Sequence, residues 1–228
     1  MIILTGSLGG IGSEILSDLA KLDEVIALYN SDNKYRRPID NVTYLKIDLE
    51  NEVSVNQLVD ANIIDCDKLI LIHCAVYNSN NLVLNYDLNS WDKTFNINVK
   101  GNFLLTKALL PRMLNARFGR IIHFSSVAAS SGKIGTIAYS TTKSALHGMS
   151  KVISKEYGRF GITSNILELG YFNTGLINNL KSEEIKYILN QIPIGKLGSV
   201  DNIIHAIKFI IASDYLNGST INLDGGIY

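Results

Sequence analysis

Short apolar runs alternate with longer stretches in which apolar positions recur at helical spacing, from one end of the chain to the other. Ile2–Thr5, Val25–Tyr29, Thr43–Asp48, Lys68–Ala75, Gly119–Ser125, Gly161–Leu167 and Thr220–Leu223 read as strands. Leu69-Ile-Leu-Ile72 shows no apolar/polar alternation, the pattern of a strand covered on both faces. Helices are predicted from Ile11 to Lys21 and over Asn51–Asn62, Ser90–Asn115 and Tyr139–Gly158. Pro111 inside the third predicts a kink or an early end. The Asn-rich segment Asn78–Asn89 reads as a loop. Strand-then-helix order, repeated, predicts an α/β fold: one doubly wound parallel sheet with right-handed crossovers and helices on both faces. No repeat, linker or low-complexity stretch divides the chain, so residues 1–228 are expected to form a single domain.

Composition narrows the function classes. The 228 residues can bury a core without disulfides or metal. Twenty-one basic and 21 acidic residues cancel, so nothing argues for a nucleic-acid partner or an anionic membrane surface. No apolar run approaches the ~20 residues of a membrane span, and Met-Ile-Ile-Leu-Thr-Gly lacks the features of a signal peptide. A soluble cytoplasmic protein is the expectation. Cys66 and Cys74 are expected as reduced thiols. His73, His123, His147 and His205 lack ligand spacing, so no metal site is expected and each should be a hydrogen-bonded core or surface residue.

Ligands of such sheets bind at the carboxyl ends of the strands. Gly6, Gly10 and Gly12, with Thr5 and Ser7, stand where the first strand turns into a helix. That turn needs positive φ or close backbone approach, and the helix start offers N–H groups to a pyrophosphate. Asn30 and Ser31 follow the second strand, Asp48 ends the third, Ala75 the fourth, and Ser126 follows the fifth. Asp48 can accept the amino group of an adenine or simply cap the next helix. Tyr139 and Lys143 are i and i+4 on a helix, placing a phenol beside an ammonium. A nearby positive charge lowers a neighbouring acid's pKa by roughly 1–3, so the phenol is expected to exchange protons with a carbonyl or alcohol oxygen. Ser126, a hydroxyl facing that phenol, reads as an oxyanion stabiliser.

Thr5-Gly-x-x-x-Gly-Ile-Gly12, Asn98-x-x-Gly-x-Phe103, Gly119-Arg-Ile-Ile122 leading to Ser125-Ser126, Tyr139-x-x-x-Lys143 and the tail Gly218-Ser-Thr-Ile-Asn-Leu-Asp-Gly-Gly226 resemble the short-chain dehydrogenase/reductase family. Ile192-Pro-Ile-Gly-Lys-Leu-Gly198 is most similar to its 3-oxoacyl-[acyl-carrier-protein] reductase-like members. The resemblance implies an oxidoreductase moving a hydride between NAD(P)(H) and a carbonyl or alcohol, on a Rossmann fold. It implies Tyr139 as acid/base, Lys143 as its tuner and a contact of the nicotinamide ribose, and Ser126 on the reacting oxygen. Asn98 would help hold a water chain to Lys143. Gly6, Ser7, Gly10, Ile11, Gly12 and Ala75 would border the cofactor, and Thr174 would lie on its nicotinamide side. Two departures stand out: His73-Cys-Ala-Val76 replaces Asn-Asn-Ala-Gly, and Leu169-Gly170 replaces Pro-Gly. The second is expected to leave the substrate loop more mobile.

Members that use NAD carry a carboxylate at the end of the second strand; here the stretch is Leu28-Tyr-Asn-Ser31, with Lys34, Arg36 and Arg37 beyond. Asn30, Ser31 and a basic side chain can meet a 2′-phosphate, so NADP(H) is favoured over NAD(H). Residues 171–197 are expected to form a substrate loop with small helices, and Phe172, Leu176, Ile177 and Leu180 suggest an apolar pocket. Apolar residues in excess of what one helix face needs, in Ser90–Asn115 and Tyr139–Gly158, point to a homo-oligomer, a tetramer or a dimer. The alternative reading is a non-catalytic dinucleotide-sensing regulatory protein on the same fold.

Overall fold

A computed structural model describes residues 1–62, 66–174, 177 and 181–227. Its described residues form a parallel sheet of seven strands in the order β3-β2-β1-β4-β5-β6-β7. These are β1 (Ile2–Thr5), β2 (Val25–Tyr29), β3 (Val42–Lys46), β4 (Ile70–His73), β5 (Gly119–Ser126), β6 (Ile162–Leu169) and β7 (Thr220–Leu223). The helices are α1 (Gly10–Ala20), α2 (Glu52–Asn62), α3 (Leu88–Phe95), α4 (Gly101–Ala116), α5 (Ala128–Ser131), α6 (Ile137–Tyr157), α7 (Ser182–Gln191) and α8 (Val200–Ala212). The order reverses between β1 and β4, where a doubly wound sheet opens a crevice for a ligand.

Unalternating strands follow from cover on both faces. Ile2 and Leu4 of β1 join a core with Ile15 and Leu19 of α1 and Ile203 and Ile207 of α8. Ile3 points the other way, into a core with Val55 and Val59 of α2, Leu105 and Leu109 of α4 and Ile153 of α6. Each successive residue of the strand thus meets a helix, and the period-2 pattern vanishes. A smaller apolar cluster, Ile177, Ile188 and Ile192 with Tyr171 and Leu197, packs the segment after β6.

Several elements depart from the sequence reading. The helix expected over Ser90–Asn115 is α3 and α4 joined by a π-helical turn, Asn96–Lys100. Its irregularity falls there and not at Pro111, which stands exposed inside α4 while the helix runs on to Ala116. The Asn78–Asn89 loop contains a 3-10 turn, Val83–Asn85, and the start of α3. Helices α5 and α8 were not expected. The signal for α8 was present: Asn202 Oδ1 accepts from Ser199 N at 3.1 Å, and Ile203, Ile204, Ile207 and Ile210 form the buried stripe.

Candidate active site

A cleft of about 1790 Å³ runs along the carboxyl ends of the strands, from Asn30 and Asp48 past the glycine turn to Tyr139 and on to Tyr187. Backbone geometry builds its first half. Gly6 has φ +64°, and a Cβ there would lie 2.6 Å from Ala75 Cα. A Cβ on Gly12 would collide with the carbonyl oxygen of Gly6. Both positions therefore require glycine, because the turn after β1 lies directly against the chain leaving β4. Thr5 Oγ1 fastens the two, accepting from Cys74 N and Ala75 N, each at 3.0 Å. No side chain caps α1, so its first turn presents backbone N–H groups towards the cleft bordered by Gly10, Ile11 and Gly12.

Ser7 is placed elsewhere than expected. Its side chain is fully buried and donates to Leu28 O at 3.0 Å, so it anchors the turn to β2 and does not border the cleft. Asn30 and Ser31 do border it, Asn30 donating to Ile47 O at 3.2 Å. Asp48 stands at the rim, its Oδ1 accepting from Glu50 N; the cap of α2 is Asn51, whose Oδ1 accepts from Val53 N and Ser54 N. The basic residues beyond β2 stay off the cleft wall. Arg36 pairs with Asp32 at 2.7 Å, donates to the Tyr29 hydroxyl at 3.1 Å and lies over the Tyr29 and Tyr44 rings. Thr174 Oγ1 donates to Gly10 O at 3.2 Å, which ties the segment after β6 to the glycine turn.

Ser126, at the end of β5, and Tyr139, in the first turn of α6, meet across the cleft wall hydroxyl to hydroxyl. Lys143 lies behind them, its Nζ donating to Phe124 O at 2.6 Å and standing 5.7 Å from the Tyr139 ring centroid. The electrostatics differ from the sequence expectation. Burial raises the Tyr139 pKa above its ordinary value, against a smaller lowering by the Ser126 hydrogen bond. Burial also lowers Lys143 to about 8. Desolvation outweighs the Ser126 hydrogen bond, so the phenol stays protonated. The Asn98 side chain bonds Tyr77, accepting from N at 2.8 Å and donating to O at 2.9 Å, and donates to Thr142 Oγ1 at 3.1 Å. It holds the chain after β4 against α6 and makes no direct bond to Lys143. Val76 needs no special backbone conformation and keeps its side chain on the cleft.

The short chain dehydrogenase family model matches residues 1–185. This chain belongs to the short-chain dehydrogenase family. Over 234 residues it is 31% identical to the 3-oxoacyl-[acyl-carrier-protein] reductase of Rickettsia conorii, covering 99% of this chain and 95% of the relative. The Haemophilus influenzae reductase of the same name is 31% identical over 241 residues, covering 99% of this chain and 97% of the relative. Among solved structures, a 2-deoxy-D-gluconate 3-dehydrogenase candidate from Agrobacterium tumefaciens with bound NADP superposes with TM-score 0.87 at 25% identity, covering 99% and 95%. ElxO with NADP bound shares the fold at TM-score 0.90 and 23% identity, covering 99% and 97%. As a short-chain dehydrogenase the chain is an NAD(P)-dependent oxidoreductase of the Rossmann type.

In this short-chain dehydrogenase the far half of the cleft is lined by side chains that sequence reasoning missed. Lys93 lies over the Tyr77 ring at 4.7 Å and Lys133 over the Tyr171 ring at 5.3 Å. Ile134 is 89% exposed and Tyr187 of α7 67% exposed, both on the cleft rim with Glu183 and Glu184. Of the apolar residues expected here, Phe172 is 5% exposed and packs on Gly198, and Ile177 joins the small cluster on α7. Leu176 and Leu180 lie outside the described residues. Gly170 is held where β6 ends, donating to Leu223 O at 2.8 Å, and a Cβ there would lie 2.7 Å from Asp224 Cα. Two of the histidines pair: His73 and His123 stack at 4.9 Å, both buried and both pushed down in pKa by that burial. His147 faces Glu168.

Proposed function

We propose that the protein reduces a carbonyl to an alcohol with NADPH, or runs the reverse oxidation, with a 3-oxoacyl thioester as the leading substrate class. The observation that carries this reading is the Ser126–Tyr139 hydroxyl pair, backed by Lys143, on the wall of a cleft that continues to a Cβ-free glycine turn. The turn fits a dinucleotide: Gly6 and Gly12, with no room for a Cβ against their main-chain neighbours, fold it tightly and bring the uncapped start of α1 to the cleft. Backbone N–H groups near Gly10, Ile11 and Gly12 would hold the pyrophosphate, Asp48 the adenine, and Ala75, Thr174 and Lys143 the nicotinamide end. Asn30 and Ser31 would take the 2′-phosphate, and the nearest acidic side chain beyond β2, Asp32, is already paired with Arg36. When bound, the dihydronicotinamide supplies the hydride. Tyr139 gives its proton to the carbonyl oxygen, and the Ser126 hydroxyl orients that oxygen. A raised Tyr139 pKa suits an acid that must be protonated before the reaction.

Similarity of about 30% to several 3-oxoacyl-[acyl-carrier-protein] reductases supports the thioester class. Exposed Phe103 on α4 and Ile137 and Val152 on α6 support assembly of two or four copies through these helices. Among the described residues no helix is long and apolar enough to cross a membrane. The test is NADPH oxidation followed by absorbance across β-ketoacyl thioesters, sugars, quinones and steroids, with NADH in parallel. Turnover of a β-ketoacyl thioester is expected. Tight NADPH binding without turnover of any carbonyl would favour the sensing protein instead.

A further inference from the structure

Behind the catalytic wall lies a charged group that the proposed chemistry does not use. Glu168 sits inside β6, where its neighbour on β5 is Ser125 and its neighbour on β7 is Asn222. Its side chain is 2% exposed. A buried carboxylate is costly unless it is paired, and an apolar side chain would fill the same space without that cost. Glu168 Oε1 accepts from Ser130 Oγ at 2.7 Å, and Ser130 belongs to α5, the short helix that follows Ser126. The second oxygen, Oε2, accepts no hydrogen bond but is faced by His147 Nε2 at 3.2 Å. His147 lies two turns after Tyr139 on α6. Its Nε2 is also 3.1 Å from Ser125 Oγ, which donates to Lys143 O at 3.2 Å, and its Nδ1 is 3.3 Å from Thr220 Oγ1.

We propose that Glu168 and His147 are positioning residues: one buried carboxylate holds α5 through Ser130 and α6 through His147, and so fixes the gap between Ser126 and Tyr139. This rests on the catalytic roles given to those two hydroxyls. Ser126 precedes α5 by two residues, and Tyr139 and Lys143 stand on α6, so the two halves of the reacting pair are carried by the two elements that Glu168 ties. Displacement of a reacting group by about 1 Å can cost on the order of 10²-fold in rate. The Ser125 hydroxyl is spent on Lys143 O, so His147 Nε2 is the donor towards Ser125, and Glu168 Oε2 stands beside the same nitrogen at 3.2 Å. Besides Glu168 from β6, His147 is faced by hydroxyls of Ser125 and Thr220; His123 on β5 feels its charge, and Lys143 precedes it by one turn.

Hydrogen exchange in the cofactor-free protein and steady-state kinetics together test this. Glu168→Ala should raise amide exchange across residues 128–147 about tenfold, with α4 unchanged. In the same variant kcat should fall about tenfold while NADPH affinity stays within about twofold. Glu168→Gln keeps the shape and can still accept from Ser130, but its amide N–H₂ then faces Nε2. Two donors then face one another there, so exchange should rise along α6 while α5, still held by Ser130, stays as in the wild type. His147→Gln, which restores an N–H donor towards Glu168, should retain most of the rate, and His147→Phe should not. Unchanged exchange in Glu168→Ala, or exchange along α6 in Glu168→Gln that matches the wild type, would overturn the clamp. Should Glu168→Ala fail to fold, the exchange and kcat of Glu168→Gln decide. A wild type that turns over no carbonyl would overturn the proposed reduction and leave exchange to judge the clamp.

Discussion

The two halves of the cleft are built from different materials. The half beside β1 and β4 is made of backbone: Gly6 at positive φ, Gly12 under the Gly6 carbonyl, and the two N–H groups after β4 that donate to Thr5 of β1. The half beside α7 is made of long side chains, Lys93, Lys133, Tyr171 and Tyr187, brought from four separate segments. A backbone site tolerates almost no substitution, because the neighbour is a main-chain atom that cannot swing aside. A side-chain site tolerates many, and so can be retuned for a new substrate on a fixed cofactor platform. Ser126, Tyr139 and Lys143 stand at the seam.

Changes at the seam should have the largest effect. Tyr139→Phe removes a proton donor and almost no volume, so kcat should fall about 10²–10⁴-fold while NADPH affinity is retained. A drop below tenfold would mean that another group carries the proton. The backbone half should respond next. Gly12→Ala pushes a methyl into the Gly6 carbonyl, which should cost about 1–3 kcal/mol of stability and weaken NADPH at least about tenfold. Thermal melting and fluorescence titration read the two. A variant that binds NADPH normally would break the contrast, since it would show that the turn can yield.

This difference in material also explains what could be read from the sequence. The doubly wound sheet and the glycine turn were legible because they depend on local facts: unalternating strands, glycines where a strand turns, a phenol and an amine four residues apart. The Ser126–Tyr139 meeting followed from strand order. What was not legible depends on which side of an element a residue faces, or on a competition between energies. Ser7 looked like a cofactor contact, yet its hydroxyl turns to Leu28. The lowering of Tyr139 was expected from the spacing of Lys143, but burial of both groups reverses it. Pairing of His147 with Glu168 joins residues 21 positions apart on α6 and β6, and no spacing rule announces it.

The amine at the seam gives the next measurement. Burial lowers Lys143 to about 8, so in the folded protein it is cationic below that pH and neutral above, where an unfolded lysine would still be charged. Its attraction for an anionic dinucleotide is therefore lost as pH rises through about 8. NADPH affinity should fall about tenfold across that window, and Lys143→Met should be weak and flat throughout. Stability runs the opposite way: from about pH 8 up to the ordinary lysine value the unfolded chain binds the extra proton, so the penalty for burying the charge is relieved and stability rises with pH. At the outer end of the backbone half, Ser31→Asp would place a carboxylate on the exposed rim that borders the cleft. Repulsion should weaken NADPH about fivefold relative to NADH, less at high salt. An unchanged ratio would mean that the 2′-phosphate lies elsewhere.

The smallest effect is expected at the side-chain half, and it tests the comparison most sharply. Tyr187 is 67% exposed on α7 and borders the cleft beyond the reacting hydroxyls. Its ring can cover an apolar part of a substrate, a contact worth about 0.5–1.5 kcal/mol. Tyr187→Ala should thus raise KM about threefold for carbonyls with a long acyl part and leave small ketones unchanged. Stability should barely move, because the ring is mostly in solvent, and NADPH affinity should not move at all, because α7 lies away from the glycine turn. Measuring KM over a ladder of acyl lengths separates this from a general loosening, which would raise every KM alike. If NADPH affinity fell together with KM, the two halves of the cleft would be coupled through the segment that Thr174 ties to Gly10, and the division into a fixed platform and a variable rim would have to be given up.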